Sequence, residues 1–193
     1  HEYDILIGTQ MIAKGLDYPS VTLVGILNAD AGLMHQDFNA ASQTFNLLMQ
    51  ASGRSGRASK AGRVFIQAFN SDHYVLKAVL KQDYNYYYNI EMNYRHKLNY
   101  PPYSHLMELI VSDMNEERLR KSLSYLMEMI SPLNIKIYKP VELNKIKDTY
   151  RYRIMLMDKN GRALLDTVWG IIDEYLKGPY SKIKIQMDPL YLE

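Results

Sequence analysis

Cysteine is absent from all 193 residues, which excludes disulfides and any cysteine-based zinc site within this chain. That absence fits a reducing compartment. No apolar run approaches the roughly 18 residues that mark a membrane-spanning helix, so none is expected. No secretory leader is expected from a sequence that opens without an initiator methionine. It opens directly into "HEYDILIGTQ", an entry that suggests a piece of a longer protein. The five histidines, His1, His35, His73, His96 and His105, form no close pair or triplet, so no metal site is expected from them. No G-x-x-x-x-G-K-[ST] run is present to cradle phosphates, and no Asp-Glu pair stands at a strand end suited to Mg²⁺. Charge of one sign is scarce too: 23 basic against 21 acidic residues leave +2, which gives no global electrostatic case for a polyanionic partner.

What remains is the composition of a folded protein, 47% apolar and 23% charged, long enough for one or two domains. Two local concentrations stand out. Residues 136–153 hold Lys136, Lys139, Lys145, Lys147, Arg151 and Arg153 against Glu142 and Asp148, and seven of the 17 tyrosines lie between Tyr84 and Tyr103.

"YDILIGT" and "VTLVGILNAD" read as buried strands of a parallel sheet, and "GRVFIQAF" as a third. Between them residues 38–51 read as a helix capped by Asp37 or Asn39. This alternation predicts an α/β layer over residues 1–70. Residues 72–98 read as two tandem helices, and the prolines of "NYPPYSH" break the chain, so 71–103 is expected to be a helical, proline-containing connector. Over 104–193 the order becomes β-α-β-β-α-β, the ferredoxin-like α+β arrangement with both helices on one sheet face. Its strands are 105–113, 134–143, 149–158 and 182–189. Its helices are expected to bury Leu119, Leu123, Leu126 and Ile130, then Leu164, Val168, Ile171 and Tyr175. Trp169 and the methionine-rich helices are expected in the core.

Two loops carry candidate chemistry. In "QASGRSGR", Arg54 and Arg57 stand three apart among glycines, so one helical turn would point both the same way. Their permanently charged forks suit phosphate oxygens, including charge developing on a transferred γ-phosphoryl group; a basic turn with solvated arginines is an equal reading of that spacing. In "GTQMIAKGLDYP", Thr9 and Gln10 are short polar donors and Lys14 a charge able to meet a DNA phosphate. Gly15 permits an unusual backbone angle, and Asp17 can accept from a sugar hydroxyl. The loop follows a strand, where α/β folds place ligands. A polar turn needing no ligand is the alternative.

Together the two stretches resemble motifs V and VI of superfamily 2 helicases. More closely, "ILIGTQMIAKG…D…P…VTLVG…AD" with "Q…GR.GRA…G.V" resembles the PriA (primosomal protein N′) family of bacterial replication restart helicases. "DF" at 37–38, "PPYSH" at 101–105 and "MDP" at 187–189 continue the resemblance, while Ser52 and Ser55 depart from it. The resemblance implies the later part of a second RecA-like lobe over 1–70, followed by the ferredoxin-like C-terminal domain. It implies Arg57 as arginine finger, Arg54 as its partner and Gln50 as the residue that orients the motif. It places Gly15 and Asp17 by the nucleotide, and Thr9, Gln10 and Lys14 facing DNA or coupling the two sites. It implies ATP and Mg²⁺ held with a first lobe that this chain lacks, so the chain alone is expected to be inactive. A zinc module is implied in a region outside it. The implied activity is an ATP-dependent 3′→5′ DNA helicase that recognises stalled or repaired forks and initiates primosome assembly. Forked or single-stranded DNA, single-strand-binding protein and other primosome proteins are its partners, in the bacterial cytoplasm at the nucleoid. A non-enzymatic nucleic-acid-binding module and a lobe of a superfamily 2 RNA helicase are the rival readings.

Strand alternation adds a surface. If the helices cover the isoleucine side of the C-terminal sheet, Lys136, Arg151, Arg153, Lys182 and Lys184 gather on the open side, a track for DNA phosphates or a solvated face. Tyr84, Tyr87, Tyr88 and Tyr94 are expected to pack between lobe and C-terminal domain, with a base-stacking platform as the alternative.

Overall fold

The computed structural model describes residues 4–9, 21–35, 37–53 and 62–192. The chain divides into two compact units, His1–Asn93 and Tyr94–Glu193. The division falls inside a helix.

In the first unit, β1 (Leu23–Ile26) and β2 (Arg63–Ile66) pair in parallel, Leu23 opposite Arg63 and Ile26 opposite Ile66. Helices α1 (Ala40–Ser52), α2 (Tyr74–Lys81) and the first part of α3 (Tyr84–Leu98) accompany them. Phe45 and Leu48 of α1, Val75, Leu76 and Val79 of α2, and Tyr87 of α3 form a core against which Ile26 and Ile66 pack. Alternate strand residues Leu23 and Phe65 are exposed. Continuous burial was expected here, but successive side chains of a strand point to opposite faces and these helices cover one.

Two local devices hold this unit. The buried Asp30 carboxylate accepts from the backbone N–H of Phe69 (3.0 Å) and Asn70 (2.8 Å), tying the end of β1 to the end of β2. These donors, that of Asn70 foremost, hold its pKa below the ordinary carboxylate value. At the start of α1, Asn39 takes the cap position, yet Asp37 does the bonding. Its carboxylate accepts from Asn39 N (2.8 Å) and Gln43 Nε2 (3.2 Å). The strand expected in "YDILIGT" does not form: residues 5–9 have no regular structure and Ile5, Leu6 and Ile7 are exposed. A strand exists only where a neighbour pairs its backbone, and among the described residues none pairs with this segment.

In the second unit, β3 (His105–Asp113) lies between β6 (Thr149–Asp158) and β7 (Lys182–Met187), with the short β4 (Lys136–Ile137) on the other side of β6, all antiparallel. Helices α4 (Glu116–Ile130) and α5 (Gly161–Tyr175) pack on one face. Leu119, Leu126 and Ile130 of α4 and Leu164, Val168, Ile172 and Tyr175 of α5 meet Leu109, Val111, Ile154 and Leu156 of the sheet. This is the ferredoxin-like arrangement. Each helix starts at an asparagine whose side chain accepts from the third helical N–H: Asn115 from Arg118 (2.9 Å) and Asn160 from Ala163 (3.1 Å).

Three details differ from expectation. The strand expected over 134–143 is two, β4 (Lys136–Ile137) and β5 (Val141–Ile146), both on the edge of β6. Pro140 separates them and has no N–H to give a ladder. The buried stripe of α5 runs through Ile172, leaving Ile171 half-buried, and that of α4 takes Ser122, leaving Leu123 half-buried. Trp169, the single tryptophan, is 53% exposed rather than core, because one residue past buried Val168 is a 100° turn away from the sheet. Among the described residues no helix is long and apolar enough to cross a membrane.

Candidate nucleic-acid interface

Strand register maps the sheet face opposite the helices. Arg151 of β6 lies beside Ser112 of β3, which lies beside Lys182 of β7. Two residues further along, Arg153, Ile110 and Lys184 form the next row. Lys136 of β4 stands beside Met157 on the same face. Neighbouring strands lie about 4.8 Å apart and alternate residues about 6.8 Å along, so four cations border a patch of roughly 10 by 7 Å. All five expected basic residues therefore share this face. Lys136, Lys182 and Lys184 are exposed and Arg151 is half-buried.

The face is not open throughout. Leu106, Ile110 and Glu108 on it are buried, Glu108 completely, and the Arg153 side chain is 12% exposed. Arg153 Nη1 lies 4.0 Å from Glu108 Oε1. The nearly buried Arg153 guanidinium faces the buried Glu108 carboxylate, and the more accessible cations of this face are Lys136, Arg151, Lys182 and Lys184. At the β4 edge, Lys136 Nζ sits 4.7 Å from the centroid of the Tyr138 ring. Tyr100 hydrogen-bonds Tyr138 there, and burial raises the Tyr100 pKa above the ordinary phenol value. Lys145 lies 3.6 Å over the ring of Tyr150, which belongs to the helix-covered side.

Two quoted stretches meet beside this face. His105, from "PPYSH", brings Nδ1 to 2.7 Å from Asp188 Oδ2, from "MDP". Asp188 Oδ1 accepts from Leu106 N (2.9 Å), and Asp188 N donates to Leu106 O (2.7 Å). At the other end of β3, Asp113 accepts from Arg118 Nε (2.7 Å) and Nη2 (2.6 Å), and from Ser181 Oγ (2.9 Å). The Arg118 bonds hold the Asp113 pKa far below the usual range, against the opposing effect of burial. Sequence reading missed this anchor and Glu108. The clue to Asp113 lay in a carboxylate two residues before a helix cap; for a lone acid mid-strand, alternation gave no signal.

Of the lobe residues, Thr9 is exposed and Gln50 is exposed in the last turn of α1. Gln10, Lys14, Gly15, Asp17, Arg54 and Arg57 lie outside the described residues. Among the four tyrosines expected to pack, Tyr87 is buried while Tyr84, Tyr88 and Tyr94 are exposed. Among the described residues no group of three or more metal-ligating side chains comes together.

Residues 96–190 match the family described as the primosomal protein N C-terminal domain, and residues 1–59 match the helicase conserved C-terminal domain. The chain is 38% identical over 194 residues to the replication restart protein PriA of Bacillus subtilis (strain 168), covering 96% of this chain and 24% of that protein. It is 39% identical over 194 residues to that of Chlamydia pneumoniae, covering 97% and 26%. With that of Rickettsia prowazekii (strain Madrid E) the figures are 35% over 194 residues, covering 97% and 29%. The chain thus spans about a quarter of the length of the relatives it matches. With both family segments in tandem and similarity running nearly end to end, the chain belongs to the PriA family of replication restart proteins.

Proposed function

We propose that this chain supplies the later part of the second RecA-like lobe and the C-terminal DNA-contacting domain of an ATP-dependent 3′→5′ DNA helicase. That enzyme engages stalled or repaired replication forks and starts primosome assembly. The observation that carries the reading is α1, which ends at Ser52 with Gly53 N donating to Met49 O (3.0 Å), directly before Arg54 and Arg57. A helix C-terminus presents unpaired carbonyls and partial negative charge, so it repels a triphosphate. Two guanidinium groups placed next in the chain reverse that sign.

In this reading Arg57 meets the γ-phosphate of ATP, with Arg54 beside it. Gln50, exposed in the last turn of α1 and so able to reach a ligand, orients the motif. Gly15 and Asp17 serve the ribose and phosphate side, and Thr9, Gln10 and Lys14 face DNA. The phosphate cradle and the Mg²⁺ ligands come from residues outside this sequence, which holds no G-x-x-x-x-G-K-[ST] run. The chain alone is therefore inactive. Zinc, where the family uses it, has no cysteine here to bind. In the second domain, Lys136, Arg151, Lys182 and Lys184 track DNA phosphates, and Arg153 supports them through Glu108. Forked or single-stranded DNA, single-strand-binding protein and other primosome proteins are the partners, in the cytoplasm at the nucleoid.

The test is Arg57→Ala in the full-length protein. DNA-stimulated ATP hydrolysis is expected to fall about 10²–10³-fold, the usual effect of removing one transition-state charge contact, with DNA binding largely kept. Unchanged hydrolysis would sink the motor assignment; Arg57-dependent turnover by this chain alone would overturn only its expected inactivity. DNA binding with no ATPase in the full-length protein would leave a non-enzymatic module. Unwinding of duplex RNA in preference to forked DNA would leave an RNA helicase.

A further inference from the structure

Two tyrosines expected inside the protein stand in solvent. Tyr84 is 57% and Tyr88 46% exposed, and their rings stack with centroids 6.0 Å apart and planes 26° apart. Behind them the buried rings of Phe45 and Tyr87 lie face to face at 4.1 Å and 4°. Tyr84 leans on both, at 6.1 and 6.2 Å. The Tyr87 hydroxyl donates to Ser42 Oγ (2.7 Å), so the inner stack is fixed at its far end as well. The outer pair is thus a preorganised aromatic surface resting on a rigid wall, and little ordering entropy remains to be lost when a flat ligand lies on it.

We infer that Tyr84 and Tyr88 form a stacking site for an unpaired base of single-stranded DNA. The surroundings favour a nucleobase over an apolar protein surface. Asn85 and Asn89 follow the two rings on α3 and are exposed; a carboxamide both donates and accepts, as base edges do. From Tyr84 to Met107 the sequence contains one acid, Glu91, and it is buried and accepts from the Tyr74 hydroxyl (2.5 Å). Asp83, just before the helix, has its carboxylate turned to the N–H of Tyr86 (2.9 Å). Lys81, three residues before Tyr84, supplies positive charge, its Nζ 4.9 Å from the centroid of the Tyr86 ring. A phosphate backbone passing here meets amides, rings and a cation. Stacking on tyrosine is tolerant of base identity, because every base has a π-face, so the site suits a protein that must bind strands of any sequence.

The inference rests on the DNA-binding reading of this chain, and the experiment separates the two. Fluorescence anisotropy of a labelled oligo-dT is measured with the full-length protein, and repeated with an oligonucleotide of the same length carrying abasic positions. Tyr84→Ala and Tyr88→Ala are each expected to weaken oligo-dT binding about tenfold. They should leave abasic binding unchanged, and Tyr88→Phe should retain affinity. Ultraviolet crosslinking of a 5-bromodeoxyuridine strand is expected to mark Tyr84 or Tyr88. Equal weakening on both oligonucleotides, or no weakening on either, overturns the stacking site while leaving the DNA-binding reading in place. A wild-type protein with no affinity for single strands overturns both.

Discussion

Asp188 and Leu106 exchange hydrogen bonds in both directions: Asp188 N donates to Leu106 O at 2.7 Å, and Leu106 N donates to Asp188 Oδ1 at 2.9 Å. Asp188 also reaches His105 and sits at φ 46°, a left-handed conformation that Asp tolerates better than most residues. The residue that follows β7 thereby locks the start of the central strand. Asp188→Ala loses both side-chain contacts while keeping the strained angle, and is expected to cost the second domain about 2 kcal/mol. Asp188→Asn should cost less. Urea denaturation of the two variants side by side checks the order.

Gly161 opens α5 directly beneath His105. A Cβ built there would lie 2.6 Å from His105 Cγ, and that ring is held by Asp188 and cannot swing away freely. Gly161→Ala is therefore expected to destabilise by about 1–3 kcal/mol, against the usual gain of alanine over glycine in a helix. A lowered melting temperature is the readout; a raised one would show that His105 moves without cost.

Asp113 predicts an acid dependence. Its folded pKa is depressed, chiefly by the Arg118 bonds, so its stabilisation is present above the unfolded value of about 4 and is lost as pH falls through the folded value. Asp113→Asn is expected to reduce stability by about 2 kcal/mol at neutral pH. That gap should narrow steadily below about pH 4, because protonated aspartic acid approaches asparagine in what it can bind. Unfolding midpoints of both proteins measured across that range check it; a gap constant with pH would mean that packing, and not charge, gives Asp113 its importance.

Lys182 and Lys184 are the exposed cations of β7 on the basic face. Each phosphate contact contributes about 0.7 to the slope of log affinity against log salt for a single strand. Lys182→Ala with Lys184→Ala is expected to flatten that slope by about 1.4. An unchanged slope would remove this face from the DNA path.

Trp169 offers a check on the exposed side of α5. As the chain's single tryptophan and half in solvent, it is expected to emit at red-shifted wavelengths and to be quenched readily by iodide when this chain is studied alone. Trp169→Ala should alter stability by no more than about 0.5 kcal/mol, the range for surface positions.

The sequence by itself determined the periodicities, and these determined the element types. Alternation in "TYRYRIMLMD" decided which side of β6 is basic, and the stripe of Leu119, Leu126 and Ile130 decided which side of α4 is buried. The glycine-bordered Arg54 and Arg57 marked the helicase segment without any coordinates. Both kinds of information lie in residue type and spacing, which act locally along the chain. Tertiary structure decided what depends on a neighbour. Ile5, Leu6 and Ile7 have the composition of a strand and, among the described residues, no partner to make them one. Trp169 has the chemistry of core and the wrong angle on its helix. Glu108 draws Arg153 out of a cationic row that alternation alone would leave intact, and Tyr84 and Tyr88 face solvent because Phe45 and Tyr87 already fill the space behind them. Burial, pairing and charge compensation belong to pairs of residues, and only the folded chain sets which pairs form.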